Sequence, residues 1–233
     1  MDLSKNGRTA GSIASRIAYL KGVLPAGIRL VAVSKFHPAE AIREAYEAGQ
    51  RAFGENRAQE MAAKHRCLPE DIEWHFIGTL QTNKIKDIIP FVYMIQSVDS
   101  LKLAAEIERQ AAKIGRTINV LFEVHIASED SKHGLLPAAC EKIFRETDWQ
   151  NYPHLRLCGL MGMATFTEDE EQVKEEFRRL HELFGRIKKG GNAPSSFCEL
   201  SMGMTDDYRL AVQEGSTMVR IGSFIFGQRP PQA

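Results

Sequence analysis

The 233-residue chain has no excess charge of either sign: 30 basic and 30 acidic residues cancel to a formal net charge of zero. Without a long-range field to gather polyanions, a nucleic-acid partner or an anionic membrane surface is not expected. Cysteine is scarce. Cys67, Cys140, Cys158 and Cys198 form no CxxC pair and no close His/Cys cluster, which argues against a zinc site or a small disulfide scaffold and leaves reduced core thiols as the expectation. Long apolar runs are missing too, since no uninterrupted stretch approaches the roughly 18 residues of a membrane span. Met1 to Arg8 lacks an apolar signal core, so a soluble, cytoplasmic protein is expected. No stretch rich in proline, glycine or serine divides the chain, and Gly190 to Pro194 reads as a helix-to-strand loop, so 1–233 is read as one domain. No extended apolar stripe calls for a partner copy, and a monomer is expected.

Alternation of strands and helices is what the sequence does contain. With 43% hydrophobic and 26% charged residues it is an ordinary globular composition, long enough to bury a substantial core. Ile13, Ile17 and Leu20 recur at helical spacing and predict an N-terminal helix within Gly11 to Lys21. Strands are predicted at Ile28–Ser34, Arg51–Gly54, Glu73–Ile77, Phe91–Ser97, Ile118–Ile126, Leu155–Leu160, Phe197–Leu200 and Thr217–Ile221, with a helical pattern between each pair. Eight such units are what a closed (β/α)₈ TIM-type barrel requires, here with an extra N-terminal helix and the barrel proper over about 28–227. An open doubly wound sheet is the competitor. Its dinucleotide fingerprint is absent, because the first strand-to-helix turn, Ser34 to Pro38, contains no glycine. The charge run Glu168 to Glu176 falls on a helix whose apolar face is Val173, Phe177, Leu180, Phe184 and Ile187, so those charges are read as its solvated face.

Chemistry enters at Leu30-Val31-Ala32-Val33-Ser34-Lys35. If the run is a buried strand, its period of two sets Lys35 on the face of Val31 and Val33. Burial disfavours the ammonium form, and a neutral amine can attack a carbonyl to form a Schiff base. The bland reading is a lysine that has passed the strand end into solvent. Barrel sites lie at the C-terminal ends of the strands, and phosphates commonly bind after strands seven and eight. Those positions read Ser201-Met202-Gly203-Met204-Thr205 and Arg220-Ile221-Gly222-Ser223, hydroxyls beside glycines that let backbone amides approach an anion. Lys35 is next to strand eight once the barrel closes. A Schiff-base lysine, a phosphate cradle and an inward arginine describe a pyridoxal phosphate site, with Arg220 as the partner of the pyridine nitrogen. An arginine salt-bridged to Glu199 or Glu55 is the alternative for Arg220.

Several segments together resemble the pyridoxal phosphate homeostasis protein family: Ala32 to Lys35, Phe53 to Arg57, Trp74 to Lys84, Gly159 to Ala164, Leu200 to Asp207 and Gly215 to Gly227. The resemblance implies a barrel similar to the N-terminal domain of alanine racemase, with the cofactor held as a Schiff base on Lys35. It further implies phosphate contacts at Ser201, Gly222 and Ser223, Arg220 near the pyridine nitrogen, and Asn56 in the pocket. The sequence departs from the family pattern at Thr79, where many members have His, and at His125, where many have Asn. Pyridoxal phosphate-dependent apoenzymes are the implied recipients.

Racemisation needs a weakly basic group on each face of the substrate carbon. In the racemases that the barrel resembles, the opposite tyrosine comes from an additional β-domain, and Tyr208 is the tyrosine nearest this rim. An arginine at the ring nitrogen also weakens the ring as an electron sink. A non-catalytic carrier involved in intracellular pyridoxal phosphate homeostasis is therefore the leading expectation; a racemase of low activity and a Schiff-base aldolase remain open. Ser128 to Gly134 reads as a polar rim loop. His37, His75, His125 and His133 fall near strand ends without the spacing of a metal set, so no metal site is expected.

Overall fold

The structure is a computed structural model that describes residues 11–129 and 133–228, so Met1 to Arg8 and the centre of the Ser128–Gly134 loop lie outside the described residues. Eight strands alternate with helices: β1 Arg29–Val33, β2 Ala52–Glu55, β3 Glu73–Phe76, β4 Met94–Val98, β5 Ile118–His125, β6 Leu155–Met163, β7 Glu199–Ser201 and β8 Met218–Ile221. All pair in parallel with their sequence neighbours, and β8 returns to β1, with Val31 opposite Arg220. The barrel is closed. Its helices are α1 Ile13–Val23, α2 Ala39–Glu47, α3 Ala58–His65, α4 Ile85–Ile88, α5 Leu101–Lys113, α6 Pro137–Glu146, α7 Glu170–Lys189, α8 Tyr208–Gln213 and α9 Ser223–Phe226.

Local chemistry starts several of these helices where the sequence indicates. The Ser12, Ser100 and Asp169 side chains accept backbone N–H bonds at the first turns of α1, α5 and α7, and Pro137 opens α6. Helix α1 is the expected extra element, burying Ile17 and Leu20 against α2 and α9.

Strand parity separates two cores. Outward residues such as Val219 and Ile221 join the large apolar layer between strands and helices, while Val31, Ala52, Met94, Leu121, Cys158, Met161 and Met218 fill the barrel interior. Volume inside a closed eight-stranded ring is filled by side chains, so it is a packed core and not a pore.

Several expected boundaries move. Strand β1 ends at Val33, which leaves Lys35 in a turn and not on the strand, and β2 extends through Glu55 before α3 begins at Ala58. Strand β6 continues past Leu160 to Met163, helped by a bulge at Cys158, where Val120 pairs with Leu157 but Leu121 pairs with Gly159. Helix α9 and the 3₁₀ turn at Trp149–Asn151 have no counterpart in the sequence reading, and the short helix expected over Asn83–Ile88 begins as a 3₁₀ turn at Thr82–Lys84 before α4. Cys67 and Cys198 are exposed, so only Cys140 and Cys158 are core thiols. Glu176 is not on the solvated face of α7. It is 1% exposed and accepts bonds from the Thr165 amide, the Thr165 and Ser128 hydroxyls and Gln172, tying together the loops after β5 and β6.

Gly159 makes the β6 bulge possible. Its φ is +152°, and a Cβ there would fall 1.7 Å from the Glu199 carbonyl oxygen of β7. Gly159→Ala is expected to lose more than about 4 kcal/mol of unfolding free energy or to be recovered insoluble, because rigid backbone is the obstacle. Urea melts of the soluble variant within about 1 kcal/mol of wild type would refute that close approach.

Candidate functional site

At the C-terminal end of β1 the chain passes through Ser34, Lys35 and Phe36 before Pro38 and α2. Lys35 is half-buried. Phe36 has a φ of +68°, a left-handed conformation that a bulky side chain adopts only when its surroundings impose it, at a cost of about 1–3 kcal/mol. The surroundings are a buried charged cluster on the outer side of β1 and β2. Lys64 of α3 donates to Glu55 at 2.7 Å, to Glu60 at 2.6 Å and to the Ser34 carbonyl at 2.9 Å. The Ser34 hydroxyl also donates to Glu55, at 2.7 Å, and the Phe36 amide donates to Glu60, at 2.8 Å. Both neighbours of Lys35 are thereby fastened. Burial drives the Glu55 carboxyl up to about 7 against the pull of Lys64 and Ser34, and its second oxygen has no partner.

The interior layer above the apolar core is polar. Arg220 of β8, 3% exposed, donates to the Ser201 hydroxyl at 2.6 Å and to the Gly162 carbonyl at 3.0 Å. Ser201 donates to Gln96 Oε1 at 2.7 Å, and Gln96 Nε2 lies 2.8 Å from His75 Nδ1. Arg220 therefore pairs with neither Glu199 nor Glu55. Glu199 accepts from Thr217, and Glu55 belongs to the cluster behind Lys35. Desolvation lowers Arg220 to about 10, opposed by Asp207 and Glu123, so the guanidinium is charged at neutral pH. Burial in turn raises Asp207 and Glu123 above the usual carboxylate range. Ser201 is the last residue of β7 and fully buried, not part of the following loop as the sequence reading had it.

Around this layer the mouth is lined by loops that come close only because they carry glycine. A Cβ on Gly222 would meet the Val33 carbonyl at 3.0 Å, and one on Gly78 would sit 2.3 Å from the Asn56 carbonyl. Asn56, just after β2, holds its side-chain oxygen buried without a partner. The Ser223 hydroxyl donates to that of Thr205 at 3.2 Å, joining the loops after β7 and β8, and the Arg220 amide donates to the Gly203 carbonyl. The structure thus gathers Lys35, Arg220, Gly222 and Ser223 at the β1–β8 seam, with Asn56 on the neighbouring β2 exit.

The remaining candidates sit elsewhere or play packing roles. Tyr208 is buried at the start of α8 with its hydroxyl accepting from Arg209, and Thr79 is exposed. His37 stacks on Phe226 at 5.2 Å, and His125 lies 2.9 Å from the Ala127 carbonyl. Sequence reasoning missed Gln96, Lys64 and Glu60, whereas Thr205 lies in the Ser201–Thr205 segment it singled out. The signal that could have found Gln96 is a glutamine two residues from Met94 on the inward face of β4.

Residues 9–230 match the family model of the alanine racemase N-terminal domain. A pyridoxal phosphate homeostasis protein of Aquifex aeolicus is 40% identical over 202 residues, spanning 86% of this chain and 87% of its own. That of Mus musculus is 39% identical over 234 residues, spanning 96% and 84%. PipY of Synechococcus elongatus, solved with PLP bound, is 36% identical with a TM-score of 0.83, over 93% of this chain and 100% of its own. Alanine racemase of Clostridium difficile has a TM-score of 0.77 at 15% identity and is covered over 56% of its length, a likeness of fold alone. The class is therefore an alanine-racemase-like barrel. Within it, the chain belongs to the pyridoxal phosphate homeostasis protein family.

Two outcomes follow from the buried groups. Lys64→Met leaves Glu55 buried without its cation and is expected to cost about 3–5 kcal/mol in urea unfolding, partly restored by adding Glu55→Gln; a loss below about 1 kcal/mol in the single variant would refute a buried pair. Burial holds His75 down at about 3 from its ordinary 6.5. A depressed histidine binds its proton more weakly when folded, so its contribution is complete above about 6.5 and is lost as pH falls towards about 3. His75→Gln is expected to flatten the acid limb of stability against pH in that window; an unchanged limb would contradict it.

Proposed function

We propose that this protein binds pyridoxal 5′-phosphate at the C-terminal mouth of the barrel, held as a Schiff base on Lys35, and that it stores and hands over the cofactor without substantial turnover. One observation carries the reading: an amine, a glycine-hydroxyl cradle and a buried cationic guanidinium converge at one strand seam, where Val31 and Arg220 are register partners. The donor set fits the cofactor's groups. Lys35 suits the aldehyde; the Gly222 and Ser223 backbone with the Ser223 and Thr205 hydroxyls suits the phosphate; Arg220 suits the ring nitrogen. A side chain on Gly222 would crowd Val33, so glycine keeps this seam close and leaves the backbone open to a ligand, and the buried oxygen of Asn56 has no partner.

When bound, the cofactor supplies an electron sink for a carbon attached to its imine nitrogen. The residues around it limit that use. Arg220 can only donate hydrogen bonds and keeps its own proton at neutral pH, which leaves a ring nitrogen beside it as an acceptor and weakens the sink. Tyr208, the tyrosine nearest the rim, is packed against the barrel and hydrogen-bonded to Arg209, unlike a base poised over a substrate. Release suits the geometry better, since Ser223 is exposed and the phosphate end would face solvent. Apoenzymes that use the cofactor are the recipients this reading implies.

Absorbance of the purified protein tests the assignment. A visible or near-ultraviolet cofactor band is expected in wild type and absent in Lys35→Ala, and borohydride is expected to fix the cofactor to Lys35 as purified. Fixation only after adding a carbonyl substrate would instead support an aldolase, and enzyme-like loss of optical rotation from L-alanine would support a racemase.

A further inference from the structure

We infer that Gln96 and His75, acting through Ser201, are positioning residues that fix the orientation of Arg220 by a hydrogen-bond chain running in one direction across the barrel interior. The inference rests on the proposed cofactor site for its consequence, and on the chain's own geometry for its existence.

Direction follows from donor and acceptor inventory. A guanidinium carries five N–H donors and no acceptor, so the 2.6 Å contact from Arg220 Nη1 obliges Ser201 Oγ to accept. The single Ser201 hydroxyl proton is then free to go onward, to Gln96 Oε1 at 2.7 Å. With its oxygen so engaged, Gln96 turns its amide nitrogen towards His75 Nδ1 at 2.8 Å, and Met218 Sδ, a weak acceptor, lies 3.1 Å from the same nitrogen. His75 must accept at Nδ1 and therefore carries its proton on Nε2. A reversed amide would press two donors on Ser201 and leave the hydroxyl proton without its acceptor.

Burial prevents the chain from relaxing. His75, Gln96 and Ser201 are each 0% exposed and come from β3, β4 and β7, so with Arg220 on β8 the chain spans four strands of the ring. Protonating His75 at Nδ1 would set two donors face to face. Desolvation and the positive charge of Arg29 both oppose that second proton. Nothing about filling space calls for these side chains, because the adjoining interior layer of Val31, Ala52, Met94, Leu121 and Met161 does so with apolar ones. A polar chain in such a core is destabilising unless every member is satisfied, and here His75 Nε2 ends it without a partner. What the chain does accomplish is to hold one face of Arg220 on Ser201 and Gly162, leaving its other N–H groups for the pocket. Glu123 and Asp207 are the carboxylates that balance the guanidinium, and neither belongs to the chain.

Two measurements test this, one of them independent of any cofactor. In the ligand-free protein, nitrogen-15 NMR of labelled histidine is expected to show His75 as the neutral Nε2–H tautomer, unchanged from pH 8 to pH 5; a protonated Nδ1 in that range overturns the inference. In the pyridoxal phosphate-loaded protein, Gln96→Leu and Ser201→Ala are expected to weaken cofactor binding about tenfold. They should also move the pH midpoint of its absorbance band by about one unit, whereas Ser201→Thr keeps the hydroxyl and restores both. A Gln96→Leu protein that binds and titrates as wild type does overturns the positioning role. Absence of a Lys35-dependent band in wild type would instead defeat the proposed function while leaving the His75 tautomer to decide the chain. If Gln96→Leu does not fold, the tautomer and the Ser201→Ala against Ser201→Thr comparison decide it.

Discussion

A guanidinium buried at the centre of a closed barrel is the constraint around which this protein is arranged. Arg220 cannot shed its charge as a lysine might, because even with desolvation pulling it down to about 10 it stays protonated at neutral pH. A cation in that position must be met by acceptors, and the sequence meets it with neutral ones, a serine hydroxyl and a backbone carbonyl. Neutral partners hold orientation without cancelling the charge. Glu123 and Asp207 supply the balancing field from farther off, and burial raises both because ionised carboxylates are also costly there.

The second cluster solves a different problem on the outer side of the same seam. Lys35 sits in a turn, where backbone freedom is greatest, and the Schiff-base role proposed for its amine would need a fixed origin. Glu55, Lys64 and Glu60 grip the residues on either side of it, Ser34 through both hydroxyl and carbonyl and Phe36 through its amide. The strained φ of Phe36 is the backbone price of that turn. Arg220 and Lys35 are thus held by separate polar networks, one inside the ring and one between ring and helices. Gly222, packed on Val33, brings the two close.

Period and alternation made the eight-stranded ring legible, because a strand's parity and a helix's apolar stripe are written in consecutive residues. The placement of Lys35, Gly222 and Ser223 at strand ends was legible for a related reason, since strand ends can be counted along the chain. Residues whose meaning depends on distant partners were not. Glu176 belongs to a charge run that any local reading assigns to solvent, and only the arrival of Ser128 and Thr165 buries it. Lys64 looks like one more exposed cation on a short helix until Glu55 appears beneath it. Ser201 reads as a loop hydroxyl from the sequence because β7 is only three residues long and its end lies one residue later than the apolar pattern marks. With that boundary moved, the Ser201 hydroxyl is engaged with Arg220 and Gln96.

These two networks bear on the balance between holding and reacting. A racemase-like barrel becomes a catalyst when its ring partner strengthens the electron sink and when bases flank the substrate carbon. In the proposed site the group beside the ring, Arg220, is a donor that keeps its own proton at neutral pH, and the chain behind it ends in a histidine whose second protonation is opposed by burial. Tyr208, the rim tyrosine, is turned into the fold. On the proposed reading, orientation is fixed at the ring and at the amine, while the Ser223 end of the pocket opens to solvent. Under the proposed reading, an imine on such an amine would be reversible by hydrolysis, and such a site would favour capture and release over turnover.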